Sequence, residues 1–360
     1  MATTFKTLTA NDVVNTRTLL HEAIPLTGTI LSGTYDAANI KTFSHGMFQS
    51  TFDYPFLSSS ANHILDISFG YSNSSHMSGT GVQNAKKINV YNQMASVLVG
   101  HDVTGGIQQF DQDGNITGGG YDGTGGNKIE NGAIFLNFSR LLVKDEIKKG
   151  SFSLNLLTGG VPTAVQPNAN LNQLALADYG GDTSYFVNSP AGEYALLMSS
   201  STSDPAHAFG LIYYQAGVVV LTGSVFRAGF AENLTTGSML GDGAPSSSFE
   251  NLATGSTISF MADCVRNRIQ GISFNNTIEL NSTIYFCRIN HNEFNYSSNP
   301  TYLNNSQIRV KNTTSDNPVS YITTVGLYSS DNELLAVAKL SEPLKKDPNT
   351  ELTLRVRLDY

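Results

Sequence analysis

The chain has no tryptophan, only two cysteines and few charges: 21 Lys and Arg stand against 29 Asp and Glu in 360 residues, a charged fraction of 14% with a net charge of −8. Ordinary soluble chains are about 25% charged. The two cysteines, Cys264 and Cys287, are too few for a secreted disulfide framework and lack the CxxC spacing of a zinc site, so both are expected to be buried free thiols. No apolar run approaches the eighteen or so residues of a membrane-spanning helix. The strongest, Gly217 to Leu221, is far shorter. The basic residues occur as pairs, Lys148-Lys149 and Lys345-Lys346, where phosphate binding needs a concentrated basic face. Nucleic acid and membrane are therefore not expected partners. The N-terminus lacks a basic segment followed by an apolar core and a small-residue cleavage site, so synthesis and retention in the cytoplasm is the expectation. Charge-driven disorder is excluded by 19 Phe and 16 Tyr spread along the chain.

What remains is polar without charge: roughly a third of the residues are Ser, Thr, Asn and Gln. Apolar runs of strand length, separated by Gly, Asn, Asp and Ser, predict a mainly β protein of antiparallel β-sandwich or barrel-like domains with two or three short helices. A large domain is expected over 1–270 and a C-terminal antiparallel β-domain over 271–360. Helices are expected near 10–24, where Val13, Leu20, Ala23 and Ile24 recur at helical spacing before Pro25, and over 84–98, where Ile88, Tyr91, Ala95 and Leu98 do so before Gly100. The segment from Ile258 to Ile269 fits a helix or a strand. Strands are expected from His63, Ala133 and Ser151, and a buried hairpin from Gly210 to Phe226 turning at Gln215-Ala216-Gly217. Ser320 to Tyr328 and Glu333 to Ser341 flank the polar turn Ser329-Ser330-Asp331-Asn332. Leu352, Leu354, Val356 and Leu358 alternate with Thr353, Arg355, Arg357 and Asp359, which predicts a terminal strand that holds Tyr360 in place. The Gly-rich stretch 105–126 and the Ser-rich stretch 238–248 read as long surface loops.

No motif carries chemistry. Gly118, Gly120 and Gly123 match G-x-G-x-x-G, but a strand-like segment follows where a dinucleotide site needs a helix. Asp111, Asp113 and Asn115 have the spacing of calcium ligands, yet Ile116 stands where the loop needs glycine and the closing Glu is missing. His21-Glu22 has Pro25 where a zinc-binding helix needs a second histidine, and no G-x-S-x-G elbow occurs. Asp111, Asp113 and Asp122 sit in a loop, a poor platform for the paired carboxylates of a glycosidase. The expectation is no enzyme, no cofactor and no metal. N-x-[ST] matches such as Asn73 and Asn137 reflect frequent Asn, Ser and Thr, and without tryptophan a glycan-binding face lacks its usual stacking ring.

The run Pro318 to Tyr360, PVSYITTVGLYSSDNELLAVAKLSEPLKKDPNTELTLRVRLDY, resembles β-rich segments of tailed-bacteriophage structural proteins, in tail fibres and baseplates. The stretches from Thr16, His45, Ala85 and Leu141 are similar to virion proteins of large contractile-tailed phages of marine bacteria. The resemblance implies a virion subunit of the tail, baseplate or neck, made in the host cytoplasm. Its partners would be other virion proteins and copies of itself, as a homo-oligomer within the particle. A head or vertex decoration protein and a glycan-binding receptor module of the tail are the alternatives. Composition agrees, because interface cores are depleted of Lys, Glu and Asp and enriched in Tyr and Phe. Tyr321, Leu327, Tyr328, Leu334, Leu335 and Tyr360 are the expected interaction residues. The charged runs Lys144 to Lys149 and Lys345 to Asp347 are expected to stay in solvent.

Overall fold

The computed structural model describes residues 5–33, 37–114, 127–158, 173–201, 207–226, 249–297, 299–311 and 313–360. In chain order these form β1 (Val13–Thr27), α1 (Gly28–Ser32), β2 (Ile40–Thr42), β3 (Gln49–Phe52), β4 (His63–Gly70), α2 (Val82–Leu98), β5 (Ala133–Phe138), α3 (Arg140–Val143), β6 (Glu146–Ile147), β7 (Ser153–Leu157), β8 (Gln173–Ala177), β9 (Phe186–Ser189), β10 (Gly192–Met198), β11 (Ala208–Tyr213) and β12 (Val218–Thr222). There follow α4 (Phe249–Gly255), α5 (Ile258–Arg266), β13 (Ile269–Ile289), β14 (Leu303–Asn304), β15 (Gln307–Ile308), β16 (Ser320–Tyr328), β17 (Leu334–Lys346) and β18 (Leu352–Asp359). The protein is mainly β, as its strand-length apolar runs require. Fourteen strands join in the order β1-β13-β7-β8-β10-β11-β12-β5-β4-β3-β2, with β18 and β6 on β13 and β9 on β10. Among the described residues the two ends of this order do not pair, so no barrel closes.

The chain divides into two compact units, Leu20–Ile278 and Met1–Leu19 with Glu279–Tyr360. It crosses between them inside β1 and again inside β13. Leu20–Ile278 holds the whole apolar core cluster. Its centre is the antiparallel run β11-β12-β5-β4, with Val219 opposite Leu136 and Ile67 opposite the same Leu136 on the other side. Every residue of β12 is buried, which is the signature of a strand covered on both faces. The hairpin read from the sequence is thus β11-β12, although its second arm stops at Thr222 and continues as a 3-10 turn. Helix α2 lies so close to β4 that a Cβ on Gly70 would come 2.5 Å from the Lys87 carbonyl oxygen. Tyr91 of α2 meets Phe110 and Phe135 edge to face. The ambiguous segment from Ile258 is helix α5, with Thr257 Oγ1 accepting from the Phe260 N–H (3.2 Å), and the strand β13 begins only at Ile269.

Several charged side chains are sealed into this unit, Lys87 and Asp178 among them. Lys87 Nζ donates to the carbonyls of Ala253 (2.5 Å) and Ser256 (2.6 Å), closing the end of α4. The Asp178 carboxylate follows β8 and accepts from the N–H groups of Gly150 (2.7 Å) and Phe152 (3.0 Å) and from the Tyr214 hydroxyl (2.9 Å).

The unit formed by Met1–Leu19 and Glu279–Tyr360 contains none of the core cluster. Among its described residues only Ile284 and Ile289 are buried apolar side chains. Its β13 and β18 pair from Ser282 opposite Asp359 to Ile289 opposite Leu352. β16 and β17 pair only with one another, from Ser320 opposite Lys346 to Tyr328 opposite Leu334. The alternation read in β18 holds: Leu352, Leu354, Val356 and Leu358 are half-buried and the residues between them exposed. Tyr360 is held by a reciprocal pair of backbone hydrogen bonds with Asn281 (2.9 and 3.2 Å).

Three expectations are corrected. Residues 10–24 are not a helix: a 3-10 turn at Ala10–Asp12 leads into β1, because β-branched Val13, Val14, Thr16 and Thr18 favour an extended chain and β13 supplies pairing partners. Pro25 fits there, β1 being a strand at the sheet's end. Lys346, read as solvated, is fully buried, its Nζ donating to Asn295 Oδ1 (2.6 Å), the Asp347 carbonyl (2.8 Å) and the His291 carbonyl (3.1 Å). Of the two cysteines, Cys264 is buried and Cys287 only half-buried, and both are free.

Candidate interaction surface

The β16-β17 ribbon carries five of the six expected interaction residues or their pairing partners. Tyr328 pairs with Leu334, and Leu327 with Ala336. The two faces differ. Val325, Leu327, Ala336 and Ala338 are half-buried, whereas Gly326 and Val337 face the exposed side. The Tyr328 ring and Leu334 Cδ1 lie over Gly326, where an added Cβ would meet them at 2.9 and 3.2 Å. An aromatic ring resting on a strand glycine fills the space its missing side chain leaves. Phe5 extends this patch, its ring centroid 4.7 Å from that of Tyr328. Phe5 and Val337, which the structure adds to this patch, were not among the expected residues, although Val337 could have been found from its register opposite Gly326.

The patch is exposed: Tyr328 retains 46% of its accessible surface, Leu334 52% and Val337 51%. Leu335 reaches 69%. Tyr321 stands at the other end of the ribbon opposite Lys345, and Tyr360 lies on the end of β18 with its hydroxyl 3.1 Å from Thr283 Oγ1. The structure therefore groups Tyr328, Leu334 and Leu335 at one end of the ribbon and leaves Tyr321 and Tyr360 apart from them.

The turn between β16 and β17 is built by Ser329, whose hydroxyl accepts from the N–H groups of Asp331 and Glu333 (both 3.2 Å), with Asn332 at φ 61°. It leaves the carboxylates of Asp331 and Glu333 exposed. On the β13-β18 sheet the strand register puts Ile284, Phe286 and Arg288 on one face with Arg357, Arg355 and Thr353 opposite them. Arg288 pairs with Asp12 (2.9 Å) and Arg357 with Asp359 (2.6 Å), while Arg355 has no ion pair among the described residues. The Ser282 hydroxyl, then the Arg357 guanidinium, hold the Asp359 carboxyl below its ordinary value.

The remaining candidates do not assemble a reactive site. Asp111 is buried against Lys128 (2.5 Å), and burial raises its pKa to about 6. Asp113 Oδ2 accepts from Asn127 (3.3 Å). Asn115, Asp122 and the glycines 118, 120 and 123 lie outside the described residues, as does the Ser-rich stretch 238–248. Among the described residues no three His, Cys, Asp or Glu side chains are placed to hold a metal ion. His21 bonds the Asn276 carbonyl (3.3 Å). His63 and Ser50 both bond Asp66, so the carboxylate rather than the imidazole occupies the bridging position, the reverse of a nucleophile-base order. A cleft of about 330 Å³ is lined by Ser72, Asn73, Ser74, Tyr91, Asn92, Ile107 and Gln109. Its Ser72 hydroxyl is occupied by Ser74 (2.9 Å) and Gln109 (2.8 Å). Tyr91 is buried there and offers no open ring. No helix among the described residues is long and apolar enough to cross a membrane. The chain matches no protein-family model, no curated protein and no solved structure.

Proposed function

We propose that the chain is a structural subunit of a tailed-bacteriophage virion, in the tail, baseplate or neck, working through contacts with copies of itself and with other virion proteins. It has no catalytic role in this reading and uses no cofactor. One observation carries the assembly part. Among its described residues, the unit of Met1–Leu19 and Glu279–Tyr360 orders five strands and parts of two longer ones with only Ile284 and Ile289 as buried apolar side chains. Fixing a backbone costs about 1–2 kcal/mol per residue, and apolar burial is what offsets it. A two-stranded ribbon on its own is marginal in water. Ion pairs of this unit such as His291 with Glu351 and Arg357 with Asp359 are largely exposed and contribute little. A further surface is needed to cover Phe5, Tyr328, Leu334, Leu335 and Val337, and exposed apolar patches of this kind mark protein contacts.

The assignment to a phage particle is supported by the resemblance of Pro318 to Tyr360 and by a sparsely charged, Tyr- and Phe-rich composition that suits permanent interfaces. Mass spectrometry of purified particles, separated into heads and tails, tests it. The chain is expected at a fixed stoichiometry in the tail fraction. Its absence from particles, or recovery in heads alone, would contradict the assignment.

A further inference from the structure

We infer that the β16-β17 ribbon of one copy lies against the β13-β18 face of a second copy, with Asp331 and Glu333 directed at Arg355 and the Tyr328 patch covering Phe286. The inference rests on the assembly reading above and names its partner and contact.

Two surfaces of the same unit are complementary. The ribbon end is apolar and acidic: Tyr328, Leu334 and Val337 form its exposed patch, and Asp331 and Glu333 are held in the turn through backbone atoms, which leaves their carboxylates exposed. The β13-β18 face is apolar and basic. Phe286 is half-buried directly opposite Arg355, and Ile284 lies directly opposite Arg357. The neighbouring arginines are already neutralised by Asp12 and Asp359, which leaves Arg355 as the charge on this face with no ion pair among the described residues. Like charges on both surfaces would have favoured an unrelated partner. Opposite charges on two surfaces of one chain favour a second copy, because complementary potentials set register and suppress wrong pairings. The contact joins different patches on the two copies, so it gives a reciprocal pair, a ring or an open filament, according to the rotation between copies.

Charge inversion in the full chain tests this. D331K/E333K gives a ribbon and a face that are both basic, and R355E gives two that are both acidic. Each variant alone is expected to associate at least about tenfold more weakly than the unmodified chain in sedimentation equilibrium, with unchanged circular dichroism. Mixing the two restores association, since the basic ribbon of one then meets the acidic face of the other and the acidic ribbon meets the intact Arg355. Carrying all three inversions in one chain restores it as well. If the unmodified chain associates and the variants do so equally well, or if the mixture stays dissociated, the ribbon contact is wrong while assembly stands. If the unmodified chain never associates, assembly itself fails.

Discussion

Replacing Asp178 by Asn tests how a buried carboxylate is held inside the larger unit. Burial raises its pKa from 3.8 to about 6, although Tyr214, Gly150 and Phe152 all donate to it and act in the opposite direction. Between those two values the folded chain binds the proton that the unfolded chain releases. Stability from this group is therefore fully present below the unfolded value and is lost as pH rises through about 6. At about 1.36 kcal/mol per unit, the difference amounts to about 2–3 kcal/mol between pH 4 and pH 7. Asn cannot titrate, and Asp111, whose pKa is also raised to about 6, contributes equally to both proteins and cancels. Urea unfolding of the two proteins at several pH values between 4 and 7 should show the stability difference moving by about 2–3 kcal/mol toward the unmodified chain as pH falls. A difference that is flat with pH, or that moves the other way, would show that the three hydrogen bonds outweigh burial and would refute the reasoning.

Lys87→Met keeps the aliphatic length but leaves the Ala253 and Ser256 carbonyls without their ammonium donor; about 3 kcal/mol of stability should be lost, with faster amide exchange at the end of α4, and a loss under about 0.5 kcal/mol would contradict the role. Gly217 turns the β11-β12 hairpin at φ +66°, where an added Cβ would lie 2.7 Å from Val143 Cγ2; Gly217→Ala should cost about 1–3 kcal/mol in denaturant unfolding, and an unchanged midpoint would show that the turn relaxes freely. Burial pushes the Cys264 thiol up to about 12, so iodoacetamide at pH 8 should label it only after unfolding; rapid labelling of the native chain would place it in solvent.

Strands covered on both faces were readable because their composition shows it: Val218 to Leu221 has no polar position to turn toward water. Helix α2 was readable from Tyr91, Ala95 and Leu98, which it buries together with Val90 and Lys87, while Ile88 of the same pattern is half-buried. The strand β1 was not. Its apolar residues recur by chance at helical spacing, and its extended form depends on pairing with β13, some 250 residues away in sequence, as the His21 contact to Asn276 illustrates. Lys346 misled for a different reason. Charge alone says solvent, but two adjacent lysines in one strand must point to opposite faces, so the Lys345-Lys346 pair itself signalled that one of them turns inward. The residues expected to interact could be chosen by composition, whereas the grouping of Tyr328 and Leu334 over Gly326, with Phe5 joining from the other end of the chain, depends on register and on long-range packing.

The central claim is that Met1–Leu19 with Glu279–Tyr360 lacks a core of its own and is completed by association. Sedimentation velocity of the full chain over a wide dilution series measures this most directly. The account predicts a mass above that of one chain at high concentration, falling toward one chain on dilution. A single-chain mass at every concentration, up to the solubility limit, would contradict it.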